Sequence, residues 1–175
     1  MLRRFECILG DGALTAFDRL KEALETQQKL SHFDPCSDRF LALHTDASSM
    51  GWSGILTSVP KDEEDLSPDK QSHRPIAFLS GSFSETQAKW STLEQECYAI
   101  MTSMERLRAW TTATTTRIHT DNRNAAFIYK PVPAAVAARL GLSNVALNKL
   151  ARWGLKLSAF GYKTVHRKGE LNVFP

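Results

Sequence analysis

The stretch Arg39-Phe-Leu-Ala-Leu-His-Thr-Asp46 has the composition of a buried β-strand and ends on a carboxylate. A second strand is predicted over residues 51–59, and Ala47-Ser-Ser-Met-Gly51 between the two strands is short enough for a hairpin. A third strand is predicted over residues 75–83. The central region of the chain therefore begins with three successive strands.

A capping box predicts the start of the helix that follows these strands. In Ser91-Thr-Leu-Glu94 the serine side chain can accept from the third helical N–H, and the glutamate can reach back to the serine N–H. The helix is predicted to run to about residue 109, and its apolar side chains form one narrow stripe: Leu93, Cys97, Ile100, Met104 and Leu107. Glu96 lies about 60° from the centre of that stripe at about 100° per residue, so we expect it on the shoulder of the buried face.

The remaining elements indicate a mixed α/β fold. They are an amphipathic helix over residues 14–30, a strand over 117–121, a short helix over 121–129, a long helix over 143–160 and a strand over 162–166. The polar stretch 60–74 contains the acidic run Asp62-Glu-Glu-Asp65 and is expected to be an exposed loop whose acids face solvent. We therefore divide the chain into a connector segment over residues 1–37 and one α/β domain over residues 38–175.

The composition is that of a single globular domain, since 42% of the 175 residues are apolar and 22 Lys and Arg stand against 19 Asp and Glu. No apolar run approaches the roughly 20 residues that span a bilayer, and acids interrupt the start of the chain where a signal-peptide core would lie. Cys7, Cys36 and Cys97 are far apart, which argues against a disulfide scaffold and against a zinc site. We therefore expect an intracellular protein without a membrane segment.

Charge is distributed unevenly along the chain. Residues 117–175 carry ten Lys and Arg against two acids, whereas residues 1–116 carry 12 against 17. Such segregation indicates a polyanionic partner for the basic part. The alternative is that the helices of this part only have solvated basic faces.

Two predicted strands end in Thr-Asp, at Asp46 and at Asp121. Acids at strand ends of open α/β sheets face a crevice where functional sites collect, and Glu96 lies on the helix between them. Three converging carboxylates repel one another and raise one another's pKa, and Mg²⁺ removes that repulsion. Two such ions about 3.5–4 Å apart can activate a water and stabilise the leaving oxygen of a phosphodiester. The alternative is that each acid only caps a turn or a helix, as Asp121 could do.

Six blocks around these acids follow one another in the order typical of a single protein family. They are Phe40-Leu-Ala-Leu-His-Thr-Asp-Ala-Ser48, Arg74-Pro-Ile-Ala-Phe-Leu-Ser80, Trp90-Ser-Thr-Leu-Glu-Gln-Glu-Cys-Tyr-Ala-Ile100, Ile118-His-Thr-Asp-Asn122, Leu150-Ala-Arg-Trp153 and Gly169-Glu-Leu-Asn-Val173. Over about residues 14–175, the chain resembles the RNase H-like domain of reverse transcriptases from Ty3/gypsy-type long-terminal-repeat retrotransposons. Ala16-Phe-Asp-Arg-Leu-Lys21 resembles the segment that links polymerase to RNase H in these elements.

The resemblance implies an RNase H-like fold, with a central mixed five-stranded sheet flanked by helices and preceded by an N-terminal connector helix. It also implies metal-dependent endonucleolytic hydrolysis of the RNA strand of RNA–DNA hybrids by two Mg²⁺ ions, which Mn²⁺ could replace. Matched position by position, the catalytic and metal-binding acids are Asp46, Glu96 and Asp121. The implied partners are the hybrid and the polymerase part of a reverse transcriptase.

Five further residues are expected to contact nucleic acid: Ser48, Asn122, His166, Arg167 and Lys168. Many relatives have His at the position of Asn122, whose amide can still donate to a sugar or a phosphate. The position of His166 resembles that of the histidine loop by which some RNases H assist product release. The alternative for His166 is an ordinary, partly exposed histidine at a strand end.

One departure from the family pattern leaves the activity open. After Gly-x-x-Asn the family has a fourth acidic ligand, which would fall just past Pro175, and Glu170 is on the wrong side of Asn172 to replace it. Loss of a ligand can reduce activity by orders of magnitude. The alternatives are therefore an active hybrid ribonuclease, a weak or inactive module that binds nucleic acid or protein, and a tether that supports a polymerase.

Overall fold

The computed structural model describes residues 11–26, 30–122, 125 and 134–166. Its strands are β1 (Arg39–Ala47), β2 (Gly51–Pro60), β3 (Arg74–Ser82), β4 (Thr116–Thr120) and β5 (Tyr162–His166). Its helices are α1 (Asp11–Thr26), α2 (Glu85–Ala88), α3 (Thr92–Arg106), α4 (Arg108–Thr111), α5 (Ala134–Arg139) and α6 (Asn144–Leu157). Most of the short helix predicted over residues 121–129 lies outside the described residues.

The strands form one mixed sheet in the order β3-β2-β1-β4-β5. Strand β2 is antiparallel to β1 and β3, whereas β4 is parallel to β1 and β5. The predicted central mixed five-stranded sheet is therefore confirmed. Because β1 and β4 are parallel neighbours, with His44 opposite His119, the aspartates that follow these histidines lie at the same edge of the sheet.

Helices α3 and α6 pack on one face of the sheet and enclose the main core. Leu43, Leu56 and Ile118, from three adjacent strands, are fully buried in one cluster with Ile100 and Met104 of α3. Burial of such side chains contributes about 1.5–3 kcal/mol each to folding. This face therefore fixes the position of α3 relative to the strand ends.

A glycine of β2 allows α3 to lie close to the sheet. A Cβ atom on Gly54 would lie 2.4 Å from the Oγ atom of Ser103, which is itself fully buried in α3. The helix begins after Ser91, which caps it as predicted: its side chain accepts from the N–H of Glu94, and the Glu94 carboxylate accepts from the N–H of Ser91. The helix ends at Arg106, somewhat earlier than predicted, and α4 follows.

The loop of residues 61–73 folds back over the other face of the sheet. The Arg117 guanidinium of β4 forms an ion pair with Glu64 and lies 4.5 Å from the ring centroid of Phe40. Glu63 accepts hydrogen bonds from the backbone N–H and the hydroxyl of Ser72, and these bonds lower its pKa. The expectation that the acidic run faces solvent therefore holds only in part, because local polarity does not reveal these contacts with distant residues.

The segment before β1 also contacts the domain. Phe33 is buried in the main core, and the N–H of Ser31 donates to the carbonyl of Pro75 at 2.7 Å. The domain boundary between residues 37 and 38 stays a prediction. Ser31 and Phe33, which precede that boundary in the sequence, nevertheless pack against the domain. Within the described ranges, no helix is long and apolar enough to cross a bilayer.

Candidate metal centre and its flanking groove

The structure brings together the three acids that the sequence singles out. One carboxylate oxygen from each of Asp46, Glu96 and Asp121 lies within 4.8 Å of the other two. Asp46 is near the carboxyl end of β1 and Asp121 directly follows β4, which is parallel to β1. Glu96 is the fifth residue of α3, so the cap at Ser91 and the packing of the helix direct it to this sheet edge.

Glu96 is the deepest of the three acids, with 3% of its surface exposed. The backbone N–H of Ala47 donates to its carboxylate. Its Oε2 atom is buried and has no hydrogen-bond partner in the part of the chain that the structure describes. A buried carboxylate oxygen without a partner is costly, so this atom is suited to a ligand that the protein itself does not supply.

The cluster places three carboxylates close together without a positive charge to compensate them among the described residues. Burial, the charge of Asp121 and the charge of Asp46 together raise the pKa of Glu96 to about 8, against the opposing hydrogen bond from Ala47. Among the described residues, no Lys or Arg forms an ion pair with any of the three acids. Three oxygen donors without a cation are the donor set that Mg²⁺ or Mn²⁺ prefers, so the residues present fit a divalent ion.

Hydrogen bonds hold the turn that carries Asp121. The N–H of Asn122 lies 3.2 Å from the hydroxyl oxygen of Thr120, which accepts from it. The Nε2 atom of His166 lies 3.0 Å from the backbone carbonyl oxygen of Asp121. The structure therefore places two of the five residues expected to contact nucleic acid, Asn122 and His166, directly beside the acids.

A third such residue, Ser48, lies in the hairpin between β1 and β2. Its hydroxyl is exposed and lies 3.3 Å from both the N–H and the carbonyl oxygen of Gly51, so it closes the hairpin turn. Arg167 and Lys168 lie outside the described residues. The expected nucleic-acid contacts of all five residues stay predictions.

A groove of about 400 Å³ extends from Asp46 across the ends of β2 and β3. The described residues that line it include no Lys or Arg, and they are Asp46, Ser48, Met50, Gly51, Trp52, Ser53, Ser80, Gly81 and Ser82. The floor depends on Gly81, because a Cβ there would lie 2.8 Å from the indole Nε1 of Trp52. This groove was not predicted from the sequence, where the series of Ser and Gly at the ends of two predicted strands is the signal that could have indicated it.

Acids from the first part of the chain neutralise several bases of the last part. Lys149 pairs with Glu94 at 2.8 Å, Lys156 pairs with Glu105 at 3.1 Å, and Arg117 pairs with Glu64. The uneven charge along the chain is therefore not fully expressed on the surface. The exposed bases that the structure describes in this part include Arg139, Arg152 and Lys163.

The sheet order and flanking helices are similar to those of solved structures. The foamy viral protease-reverse transcriptase in complex with RNA/DNA hybrid matches with a TM-score of 0.55 and 14% identity, over 96% of this chain and 20% of that chain. LC11-RNase H1, isolated from compost, matches with a TM-score of 0.52 and 11% identity, over 76% of this chain and 87% of that chain. The fold therefore belongs to the RNase H-like class.

The sequence assigns the chain more narrowly within this class. The family of RNase H-like domains found in reverse transcriptase matches residues 37–160, which is more than half of the chain. The chain therefore belongs to this family. The resemblance inferred from the six sequence blocks is confirmed at this level.

Its relatives are much longer polyproteins. The retrovirus-related Pol polyprotein from transposon opus of Drosophila melanogaster is 29% identical over 167 residues, which are 94% of this chain and 14% of that protein. The transposon Tf2-3 polyprotein of Schizosaccharomyces pombe is 27% identical over 160 residues, 90% of this chain and 10% of that protein. The enzymatic polyprotein of Carnation etched ring virus is 26% identical over 157 residues, 89% of this chain and 21% of that protein. The chain thus spans about a tenth to a fifth of the length of these relatives.

Proposed function

We propose that the chain hydrolyses the RNA strand of RNA–DNA hybrids with the help of divalent metal ions, as the RNase H domain of a retroelement reverse transcriptase. The observation that carries this proposal is the cluster of Asp46, Glu96 and Asp121, whose carboxylate oxygens lie within 4.8 Å of one another. The raised pKa of Glu96 and the lack of an ion-paired Lys or Arg among the described residues support it. Membership of the reverse-transcriptase family supports the same reaction.

Each acid has a distinct part in holding the metal. Glu96 offers a buried oxygen whose direction α3 and the N–H of Ala47 determine. Asp46 lies in a strand that is paired on both sides, and Asp121 is exposed, so it can face both an ion and solvent. When bound, Mg²⁺, or Mn²⁺ in its place, supplies a water of lowered pKa and stabilises the charge on the leaving oxygen of the phosphodiester.

The flanking groove suits the sugar side of a hybrid rather than its phosphates. It begins at Asp46 and is lined by Ser48, Ser53, Ser80 and Ser82, and the lining residues that the structure describes include no Lys or Arg. Hydroxyl groups can both donate to and accept from a ribose 2′-hydroxyl, which is the group that distinguishes RNA from DNA. The solved foamy viral protein of the same fold is described in complex with an RNA/DNA hybrid, which agrees with this substrate.

The relatives indicate how the domain is used. Because they are polyproteins of which this chain spans a small part, we propose that the domain acts next to the polymerase of a reverse transcriptase. The connector segment over residues 1–37, which includes α1, would join the two parts. The domain proper would begin near residue 38.

A cleavage assay with matched variants tests the proposal. The RNA strand of a hybrid is labelled and incubated with the protein in Mg²⁺, and then in Mn²⁺, with the same RNA in an RNA duplex and as a single strand for comparison. We expect cleavage of the hybrid by the wild type and at least about 100-fold less cleavage by Asp46→Asn. Glu105→Gln, on the same helix as Glu96 but outside the site, serves as the control and should cleave like the wild type.

Two outcomes would contradict the proposal. Equal cleavage by the wild type and Asp46→Asn would show that the activity comes from elsewhere. Hybrid binding without cleavage in either metal would instead favour the module that binds nucleic acid without hydrolysing it.

A further inference from the structure

The end of β5 reaches the proposed metal centre. His166 is the last residue of β5 and is paired with Thr120, the last residue of β4. Its imidazole Nε2 lies 3.0 Å from the backbone carbonyl oxygen of Asp121. Because a carbonyl oxygen can only accept, Nε2 must be the donor. Both the neutral ring with its proton on Nε2 and the doubly protonated ring can make this bond.

Asp121 depends on such a contact more than the other two acids do. Asp46 is held inside β1 by strand pairing with β2, and Glu96 is held inside α3. Asp121 lies one residue beyond β4 and is exposed, so the ladder of the sheet does not fix its peptide group. On its carboxyl side, the N–H of Asn122 bonds to the hydroxyl of Thr120. The imidazole of His166 restrains the carbonyl of the same peptide unit.

We propose that His166 is a positioning residue, which fixes the peptide of Asp121 and thereby directs its carboxylate into the metal centre. The inference rests on the proposed function, since it requires that Asp121 binds a metal ion. It assigns to the ring a contact within the protein, while the expected contact of His166 with nucleic acid stays a prediction. Groups that orient metal ligands typically change metal affinity or activity by about 10-fold to 100-fold when they are removed.

Metal binding without nucleic acid tests this role separately from hydrolysis. Mn²⁺ affinity is measured by isothermal titration calorimetry, and thermal unfolding is followed in EDTA. His166→Ala removes the donor, whereas His166→Gln retains an amide N–H that can reach the same carbonyl. His32→Ala replaces an exposed histidine ahead of β1 and is the matched control.

We expect His166→Ala to weaken Mn²⁺ binding by about 10-fold, while His166→Gln stays within about threefold of the wild type and His32→Ala is unchanged. The unfolding midpoint in EDTA should be the same for all four proteins. Mn²⁺ affinity equal to that of the wild type in His166→Ala would overturn the inference. A lower unfolding midpoint in His166→Ala, together with Mn²⁺ affinity that His166→Gln does not restore, would also overturn it, because it would indicate a purely structural role. Asp46→Asn separates the two proposals, because the metal centre itself, and this inference with it, is wrong if the wild type binds Mn²⁺ no better than that variant.

Discussion

Helix α3 carries two buried glutamates, Glu94 and Glu96, in neighbouring regions with opposite electrostatics. They are 7% and 3% exposed, respectively, so burial alone does not distinguish them. Around Glu94, α6 supplies a cation and the helix cap supplies donors. Around Glu96, the sheet edge supplies two further acids. The difference shows that the neighbours of a buried carboxylate, more than its depth, determine whether it serves the structure or a site.

The region of Glu94 is a satisfied structural contact. Burial alone would raise the pKa of Glu94, but hydrogen bonds from Lys149 and Ser91 more than offset it, and the pKa is lowered. The Lys149 Nζ atom lies 2.8 Å from the Glu94 carboxylate and 3.9 Å from the ring centroid of Trp90. The cation thus joins α6 to α3 through the ion pair, and joins α6 to Trp90, just before α3, through a cation–π contact.

Around Glu96, the described part of the chain supplies a single hydrogen bond that lowers its pKa. The N–H of Ala47 donates to the carboxylate, while burial and the two aspartates raise its pKa to about 8. The protein retains this unfavourable arrangement beside an open groove. Perturbed carboxylates in clefts are candidates for functional groups, and a divalent ion would resolve the repulsion.

We expect the largest difference between the two glutamates in the rate of RNA-strand hydrolysis. Glu96→Gln should reduce hydrolysis of the RNA strand at least about 100-fold, because it removes a metal ligand. Glu94→Gln should stay within about fivefold of the wild type at saturating metal, because Glu94 lies outside the three-acid cluster and its carboxylate is bonded to Lys149 and Ser91. Initial rates on labelled hybrid measure both, and similar losses in the two variants would contradict the division of roles.

The next effect concerns stability in the absence of metal. The folded pKa of Glu96 lies above the ordinary carboxyl value that it has when unfolded, so the folded state binds more protons between these two values. Stability of the wild type should therefore fall as pH rises from about 4.5 to 8, by on the order of 5 kcal/mol. Glu96→Gln should lose this dependence and be more stable than the wild type at pH 7.5. Urea unfolding in EDTA across this range checks the sign, and a variant less stable than the wild type would contradict it.

Glu94→Gln should show the opposite sign. It removes the partner of a largely buried lysine, so we expect a loss of about 2 kcal/mol in the free energy of unfolding at pH 7. Since the folded pKa of Glu94 is lowered, its contribution is present above the unfolded pKa and is lost as pH falls through the folded one. The same urea series measures the difference, which should shrink at acid pH. A double-mutant cycle with Lys149→Met isolates the pair, and zero coupling would contradict its structural role.

We expect the smallest loss of stability from a third pair between the same helices, which separates the contribution of ion pairing from that of burial. Glu105 and Lys156 also join α3 to α6, at 3.1 Å, but their side chains are 33% and 53% exposed. Glu105→Gln should therefore cost about 0.5 kcal/mol or less, because exposed pairs contribute little. If Glu105→Gln lost as much free energy of unfolding as Glu94→Gln, the contribution of the Glu94 pair would come from linking the two helices and not from its burial.

Local patterns were sufficient to predict much of the fold. Alternating and apolar runs predict all five strands, and the capping box predicts the start of α3 at Ser91. The two Thr-Asp strand ends and the helical position of Glu96 predict that three acids meet, as they do in the structure. Local periodicity identifies the strand ends and the helical position of Glu96, whereas the parallel pairing of β1 with β4, which brings the two aspartates together, follows from the RNase H-like fold that the resemblance implies.

Contacts between distant segments were not predictable in this way. The pairing of Glu94 with Lys149, the return of the loop at Glu64 to Arg117, and the serine-lined groove all depend on how elements pack after they form. The total of basic residues after position 116 consequently overstated the charge available to a polyanion. The contact of His166 with Asp121 likewise requires the pairing of β4 with β5.

A pH titration of the side-chain carboxyl ¹³C signals by NMR, in EDTA and in saturating Mg²⁺, follows Glu94 and Glu96 in the same sample. It tests most directly whether the acids around Glu96 form a divalent-metal centre. Glu96 should titrate near pH 8 in EDTA and be fully ionised at pH 7 in Mg²⁺, while Glu94 titrates below the ordinary carboxyl range in both. A Glu96 signal that titrates near pH 4.5 in EDTA, or that Mg²⁺ leaves unchanged, would contradict a divalent-metal centre at these three acids.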